Sequence, residues 1–256
     1  MRNSRLLIFL TIQAICYGTF LFLDLKGDSI DLSTGIKFGV ILLCLAYTIL
    51  TREGNGSRDL ALIRFALFFT LVSDFIILFL PEGAYLFGVL TFIIVQQLYG
   101  IRLKGIDNRS RDLPEGRDAY TSLLLRLGIQ LLLAVIILLL LSLVEIGLDS
   151  LLIASVFYFV SLVHNTVNSV RIAIRRPYTR SNTLFASGLV LFLLCDINVG
   201  LFNLTAFIPH GGEWVIVAYR LAAILMWTFY APSQVLIALS AVEYPLKRTK
   251  KQKKFM

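Results

Sequence analysis

Runs of apolar residues, each about as long as a bilayer is thick, occupy this chain almost from end to end, and short polar stretches separate them. A helix crossing a hydrocarbon layer of ~30 Å needs roughly 20 residues. The runs are Leu6 to Leu23, Gly35 to Leu50, Leu60 to Leu80, Ala84 to Leu103, Tyr120 to Val144, Leu148 to Ile174, Leu184 to Phe207 and Trp214 to Val242. The second is short, so Gly35 and Gly39 predict either a close helix contact or an earlier start near Leu32. Hydrophobic residues make up 57% of the chain, above the roughly 45–50% of soluble domains, so the surplus must face lipid. The fold class expected is an all-α polytopic membrane protein of eight transmembrane helices. Residues 1–246 form one membrane domain and 247–256 a basic tail.

Orientation follows from the basic residues, because loops rich in Lys and Arg resist translocation. With eight helices, alternate loops and the termini collect twenty of the 24 Lys and Arg residues on one side, including Arg58, Arg109, Arg176 and the tail from Lys247 to Lys254. The other side holds only Lys26 and Lys37, beside Asp24, Asp28, Asp31, Glu82, Glu145, Asp149 and Glu213. Both termini are therefore predicted to be cytoplasmic, in a bacterial cytoplasmic membrane. The start MRNSR lacks a small-residue cleavage site before Asp24, which predicts a retained first helix. The net charge of +8 is explained by topology, and no nucleic-acid partner is expected because no basic face with interleaved aromatics forms. Cys16, Cys44 and Cys195 fall inside apolar runs with no metal-ligand spacing and read as small core residues. The sequons at Asn55 and Asn108 lie in loops on the cytoplasmic side, where the motif carries no meaning.

Charged side chains at mid-membrane cost roughly 2.5–3.5 kcal/mol on insertion scales, so they point to function. Four stand inside the runs: Asp74, Arg126, Asp196 and Arg220. Arg64 and Glu243 lie near enough to a boundary to snorkel, as does Arg126, close to the cytoplasmic end of its run. At ~1.5 Å per residue, Asp74 lies ~9 Å below Leu80, Arg220 ~9 Å below Trp214 and Asp196 ~16 Å below Phe207. Equal depth predicts an Asp74–Arg220 ion pair and makes Asp196 the more deeply buried acid. Gln96, Gln97, Tyr99, Tyr158, Asn198, Tyr230 and Gln234 stand at comparable depths and could complete a polar cavity; singly, each reads as interhelical glue. Asp74 and Asp196 lie four helices apart on helices of the same direction, which suggests a 4+4 internal repeat. His164 and His210 belong to no metal pattern, and no nucleophile-elbow, phosphate-loop or dinucleotide motif is present. Neither a metal nor another cofactor is expected.

Ser73-Asp74, then Gly88, Phe92, Gln96 and Tyr99, then Cys195-Asp196, then Tyr230, Ser233, Gln234, Ile237 and Ala238 together resemble the motifs of the YhhN-type lysoplasmalogenases, eight-helix membrane proteins. Those motifs are a G-D on helix 3, a G-x-x-x-F-x-x-x-H-x-x-Y run on helix 4, an S-D on helix 7 and a Y-x-x-A-Q-x-L-I-A stretch on helix 8. Here Ser73 replaces the glycine, Gln96 the histidine, Cys195 the serine and Ser233 the alanine. The resemblance implies hydrolysis of the vinyl ether of a lysoplasmalogen, with Asp74 and Asp196 as the catalytic pair. Asp196 would be the acid and Asp74 its ionised partner, held by Arg220.

Chemistry of that kind needs two carboxyl groups: one protonates the β-carbon, and the other stabilises the oxocarbenium-like cation and activates water. Arg220, Gln96, Tyr99, Tyr158, Tyr230 and Gln234 are the expected substrate-binding residues, toward a lipid or lysophospholipid. Two other classes remain open from the sequence: a transporter or ion-binding protein whose acids line a path, and a structural or lipid-sensing membrane protein.

Overall fold

Within hydrocarbon every backbone N–H and C=O must be satisfied by its own segment, which an α-helix does and a single strand does not. The computed structural model describes residues 2–27, 29–51, 57–110, 117–175, 179–204 and 213–241 and forms helices from nearly all of them. In chain order these are α1 (Arg2–Lys26), α2 (Ile30–Leu50), α3 (Ser57–Phe79), α4 (Tyr85–Ser110), α5 (Arg117–Leu143), α6 (Ser150–Arg175), α7 (Arg180–Leu204) and α8 (Glu213–Ser240), with one 3-10 turn at Glu82–Ala84. All eight contain an apolar stretch long enough to cross a membrane, so the chain is an integral membrane protein. His210, Arg52, Arg111, Arg176, the Asn55 sequon, Phe207, Glu243 and the basic tail lie outside the described residues.

Neighbouring helices run antiparallel. Asp24 near the end of α1 meets Lys37 in the first half of α2 at 2.8 Å, and the Ser73 hydroxyl late in α3 donates to the Gly88 carbonyl early in α4 at 2.7 Å. One end of the bundle carries Arg58, Arg102, Arg171 and Arg180, and is called the basic end below; the other carries Asp24, Glu82, Asp149 and Glu213. The densest packing joins α3 to α4 and α7 to α8, while α6 packs on α4 and α2 on α8. α5 packs on α6 and leaves Leu124, Leu125, Leu131, Leu132, Leu139 and Leu140 exposed, as a helix bordered by lipid does.

The short second run begins at Ile30, two residues before even the earlier start expected. Its glycines do not serve a close contact: a Cβ on Gly35 or Gly39 would meet no atom within 4 Å. A glycine tight against a neighbouring backbone is Gly188 of α7, where a Cβ would stand 3.0 Å from the Ser233 carbonyl oxygen and 2.8 Å from Ile237 Cγ1 of α8. Gly188 thus lets the two backbones approach beside the site.

A clamp closes the basic end. Arg102 of α4 is 1% exposed, and its guanidinium donates to both Asp59 oxygens of α3 at 2.9 and 3.1 Å. It also donates to the Ser240 hydroxyl of α8 at 2.8 Å and to the Ser240 carbonyl at 3.0 Å. Its Cζ lies 4.3 Å from the centroid of the Phe185 ring of α7. Four helices therefore meet on one guanidinium, the bidentate geometry at which Arg is strongest. Arg64 does not snorkel. It caps the C-terminus of α2, donating to the carbonyls of Thr48 at 2.9 Å and Thr51 at 2.8 Å, where helix carbonyls lack partners.

Candidate functional site

Proline at position 232 lies inside α8 and has no N–H to give the Thr228 carbonyl one turn earlier. The Tyr17 hydroxyl of α1 supplies the missing donor at 3.2 Å, as a break in a membrane helix requires. Tyr230 and Gln234 flank this proline and face inward, 5% and 0% exposed.

The hydroxyl of Tyr230 lies 2.8 Å from each oxygen of Asp74, which is 5% exposed on α3. Tyr230 rests edge-on against Phe192 of α7 (ring centroids 5.5 Å), Phe192 against Phe92 of α4 (5.8 Å), and Phe92 against Tyr158 of α6 (5.6 Å). Tyr158 and Cys195 are the side chains beside the carboxyl of Asp196, and Cys195 stands within electrostatic reach of both acids. Asp74 and Asp196 therefore stand at the two ends of one aromatic row, with Cys195 near both. Asp196 sits one turn beyond Phe192 on the same face of α7.

The partner expected for Asp74 is corrected. Arg220 is exposed on α8 and makes no ion pair with Asp74, whose oxygens are met by Tyr230. Tyr230 lies ten residues farther along α8 than Arg220, ~15 Å at helical rise. Counting depth from helix ends assumed that α3 and α8 end level, whereas α8 reaches farther toward the acidic end. Counting from the end of its run also made Asp196 the more buried acid. In the structure Asp74 is the more enclosed acid and Asp196 is only partly buried.

Below the acids, toward the basic end, lies a polar layer. Gln96 of α4 is fully buried, and its side-chain and backbone oxygens both accept from Asn165 Nδ2 of α6 at 2.9 and 2.8 Å. Asn165 was not expected; its signal was a polar Asn-Thr pair within an apolar run. Gln96 Nε2, Asn165 Oδ1, Gln234 Oε1 and Asp196 Oδ2 are all buried and have no protein partner, while the buried hydroxyls of Thr70 and Tyr99 face each other. A buried polar atom left unpaired costs about 1–3 kcal/mol, so this concentration marks a place that a water or a polar ligand group completes. Tyr99 packs on Phe185 (5.4 Å), one turn from the clamp. Gln97 and Asn198 are outside the layer: Gln97 faces Arg126 and Gln130 of α5, and Asn198 donates to the Leu194 carbonyl of its own helix at 2.7 Å.

Three departures from the expected motifs have local reasons. Ser73 ties α3 to the Gly88 carbonyl, Ser233 donates to the Tyr230 carbonyl at 2.6 Å within the proline-broken turn, and Gln96 replaces an imidazole with an amide held by Asn165. Among the described residues no group of His, Cys, Asp and Glu is placed to hold a metal ion.

No curated protein and no solved structure matches the chain. The sequence model of the YhhN family matches residues 32–241, from α2 to the end of α8 with both acids inside the match. The chain belongs to the YhhN family.

Proposed function

We propose that the chain is a membrane-embedded hydrolase that cleaves the vinyl ether of a lysophospholipid-like substrate with Asp74 and Asp196. The observation that carries this reading is the pair itself: two acids flank one aromatic row, Asp74 met by a tyrosine hydroxyl and Asp196 with an unpartnered oxygen. Asp196 Oδ2 hands its proton to the β-carbon of the vinyl ether, giving an oxocarbenium ion at the neighbouring carbon. Asp74, oriented by Tyr230, stabilises that cation and takes a proton from the water that adds to it. The hemiacetal formed collapses to a fatty aldehyde and an alcohol, the glycerophospho-headgroup, and the net change is the addition of one water. Phe92 and Phe192 present π faces to a cationic intermediate, and Gln96, Gln234, Tyr99 and Tyr158 offer the polar contacts that position a headgroup. Arg220, on the exposed outer part of α8, would meet the phosphate.

A transporter built on the same acids needs both ends of the bundle to open in turn. The Arg102 clamp joins four helices at one end, which favours the hydrolase. The reading is tested by incubating the purified full-length protein with a lysoplasmalogen in heavy water and analysing the product. A fatty aldehyde with one deuterium on the carbon next to the carbonyl is expected. Release of no aldehyde across several headgroups would overturn the assignment.

A further inference from the structure

A charge inside the bundle that neither the proposed chemistry nor the clamp uses is Arg126 of α5. It lies three residues into the apolar stretch Leu123–Leu143, ~4.5 Å from its limit at the basic end, where the hydrocarbon gives way to headgroups. An arginine at that depth ordinarily snorkels to water. This one turns sideways instead: its guanidinium lies over Gly100 of α4, where a Cβ would coincide with it, and donates to the side-chain oxygen of Gln97. It forms no ion pair among the described residues, whose ion pairs are Lys37–Asp24 and Arg102–Asp59. A guanidinium without a carboxylate partner inside a membrane protein is costly unless an anion completes it.

The neighbouring atoms without partners are donors. Arg126 Nε is buried and unpaired, and so is Nε2 of Gln130, a fully buried residue one turn along α5 whose Oε1 is occupied by Gln97 Nε2 at 3.4 Å. His164 of α6 lies within electrostatic reach of the guanidinium. Unpaired N–H groups beside an unpaired cation call for a ligand that only accepts and carries negative charge. The acid site differs, with orphaned acceptors at Asp196, Asn165 and Gln234 standing beside one orphaned donor, Gln96 Nε2. Leu124, Leu125, Ile129, Leu131 and Leu132 are exposed on α5 on either side of this level, so an acyl chain has apolar surface to lie on.

We infer that the place where Arg126 and Gln130 of α5 face Gln97 and Gly100 of α4 is a binding site for the phosphate diester of an anionic phospholipid in the leaflet at the basic end. Arg126 and Gln130 donate to the phosphate oxygens, and Gly100 makes room for the guanidinium. The site stands apart from the acids and does not rest on the hydrolase reading.

The test is native mass spectrometry of the full-length protein released from mixed micelles of phosphatidylglycerol and phosphatidylcholine. The wild type retains one phosphatidylglycerol about tenfold in preference to phosphatidylcholine, the scale of one charged hydrogen-bonding contact. Arg126→Gln loses that preference and Arg126→Lys keeps part of it. Gly100→Ala keeps the charge but evicts the guanidinium, and loses it too, which answers the question should Arg126→Gln fail to fold. Asp196→Asn retains the lipid as wild type does, so failure here is distinct from failure of the hydrolase. Equal retention by wild type and Gly100→Ala would overturn the proposal. Displacement of the lipid by millimolar inorganic phosphate at this same arginine would overturn its lipid part and leave a site for a free anion.

Discussion

Removing one oxygen at Tyr230 separates the chemistry from the packing. Tyr230→Phe keeps the ring against Phe192 and Trp227 and takes away only the hydroxyl on Asp74. It should lower the rate of aldehyde release at least tenfold while leaving the melting temperature within a few degrees; an unchanged rate would remove Tyr230 from the site. Arg102 calls for the opposite outcome. Breaking a buried pair by removing one partner costs about 3–5 kcal/mol, so Asp59→Asn should lower thermal stability sharply, and an unshifted melt would show that the clamp holds little. Sequence reading found Asp74 and Asp196 because a carboxylate within an apolar run is conspicuous. It missed Asp59 and Arg102 because charges at the edge of a run look like loop residues, and only the fold shows them facing inward. It paired Asp74 with Arg220 because depth counted along each helix says nothing of how far that helix projects.

The position and direction of each helix were legible, since apolar length and loop charge are local properties of a chain. Which glycine lies in a contact was not: Gly35 and Gly39 have the spacing of a packing motif and open space around them, whereas Gly188 stands alone in sequence and touches the Ser233 carbonyl. The two cases give opposite outcomes. Gly39→Ala should leave the melting temperature unchanged or raise it slightly, because alanine favours the helix by about 1 kcal/mol. Gly188→Val should destabilise by about 1–3 kcal/mol through overpacking and push α8 from α7 beside Tyr230. Equal melts for the two variants would contradict the packing described for α7 and α8. Likewise, Pro232 announces a break in α8, but the donor that repairs it, Tyr17, lies 211 residues away in sequence.

At the scale of the whole molecule, a bundle clamped at its basic end holds two acids in a polar interior between α3, α4, α6, α7 and α8, with α5 at the lipid margin. The positive-inside rule predicts that the basic end is cytoplasmic. An impermeant thiol reagent added from outside should therefore leave a cysteine at position 109 unmodified in a chain whose three native cysteines have been replaced, and modification there would invert or break the eight-helix topology. The central claim is that Asp74 and Asp196 act together on one substrate. It is tested most directly by following aldehyde release from a lysoplasmalogen with the purified wild type, Asp74→Asn and Asp196→Asn. Each folded variant should lose roughly 10²–10⁴-fold in rate, the contribution of a positioned acid or base, and the double variant should be little worse than either single one because the acids work as a unit. Wild-type rates in either folded variant would contradict the account.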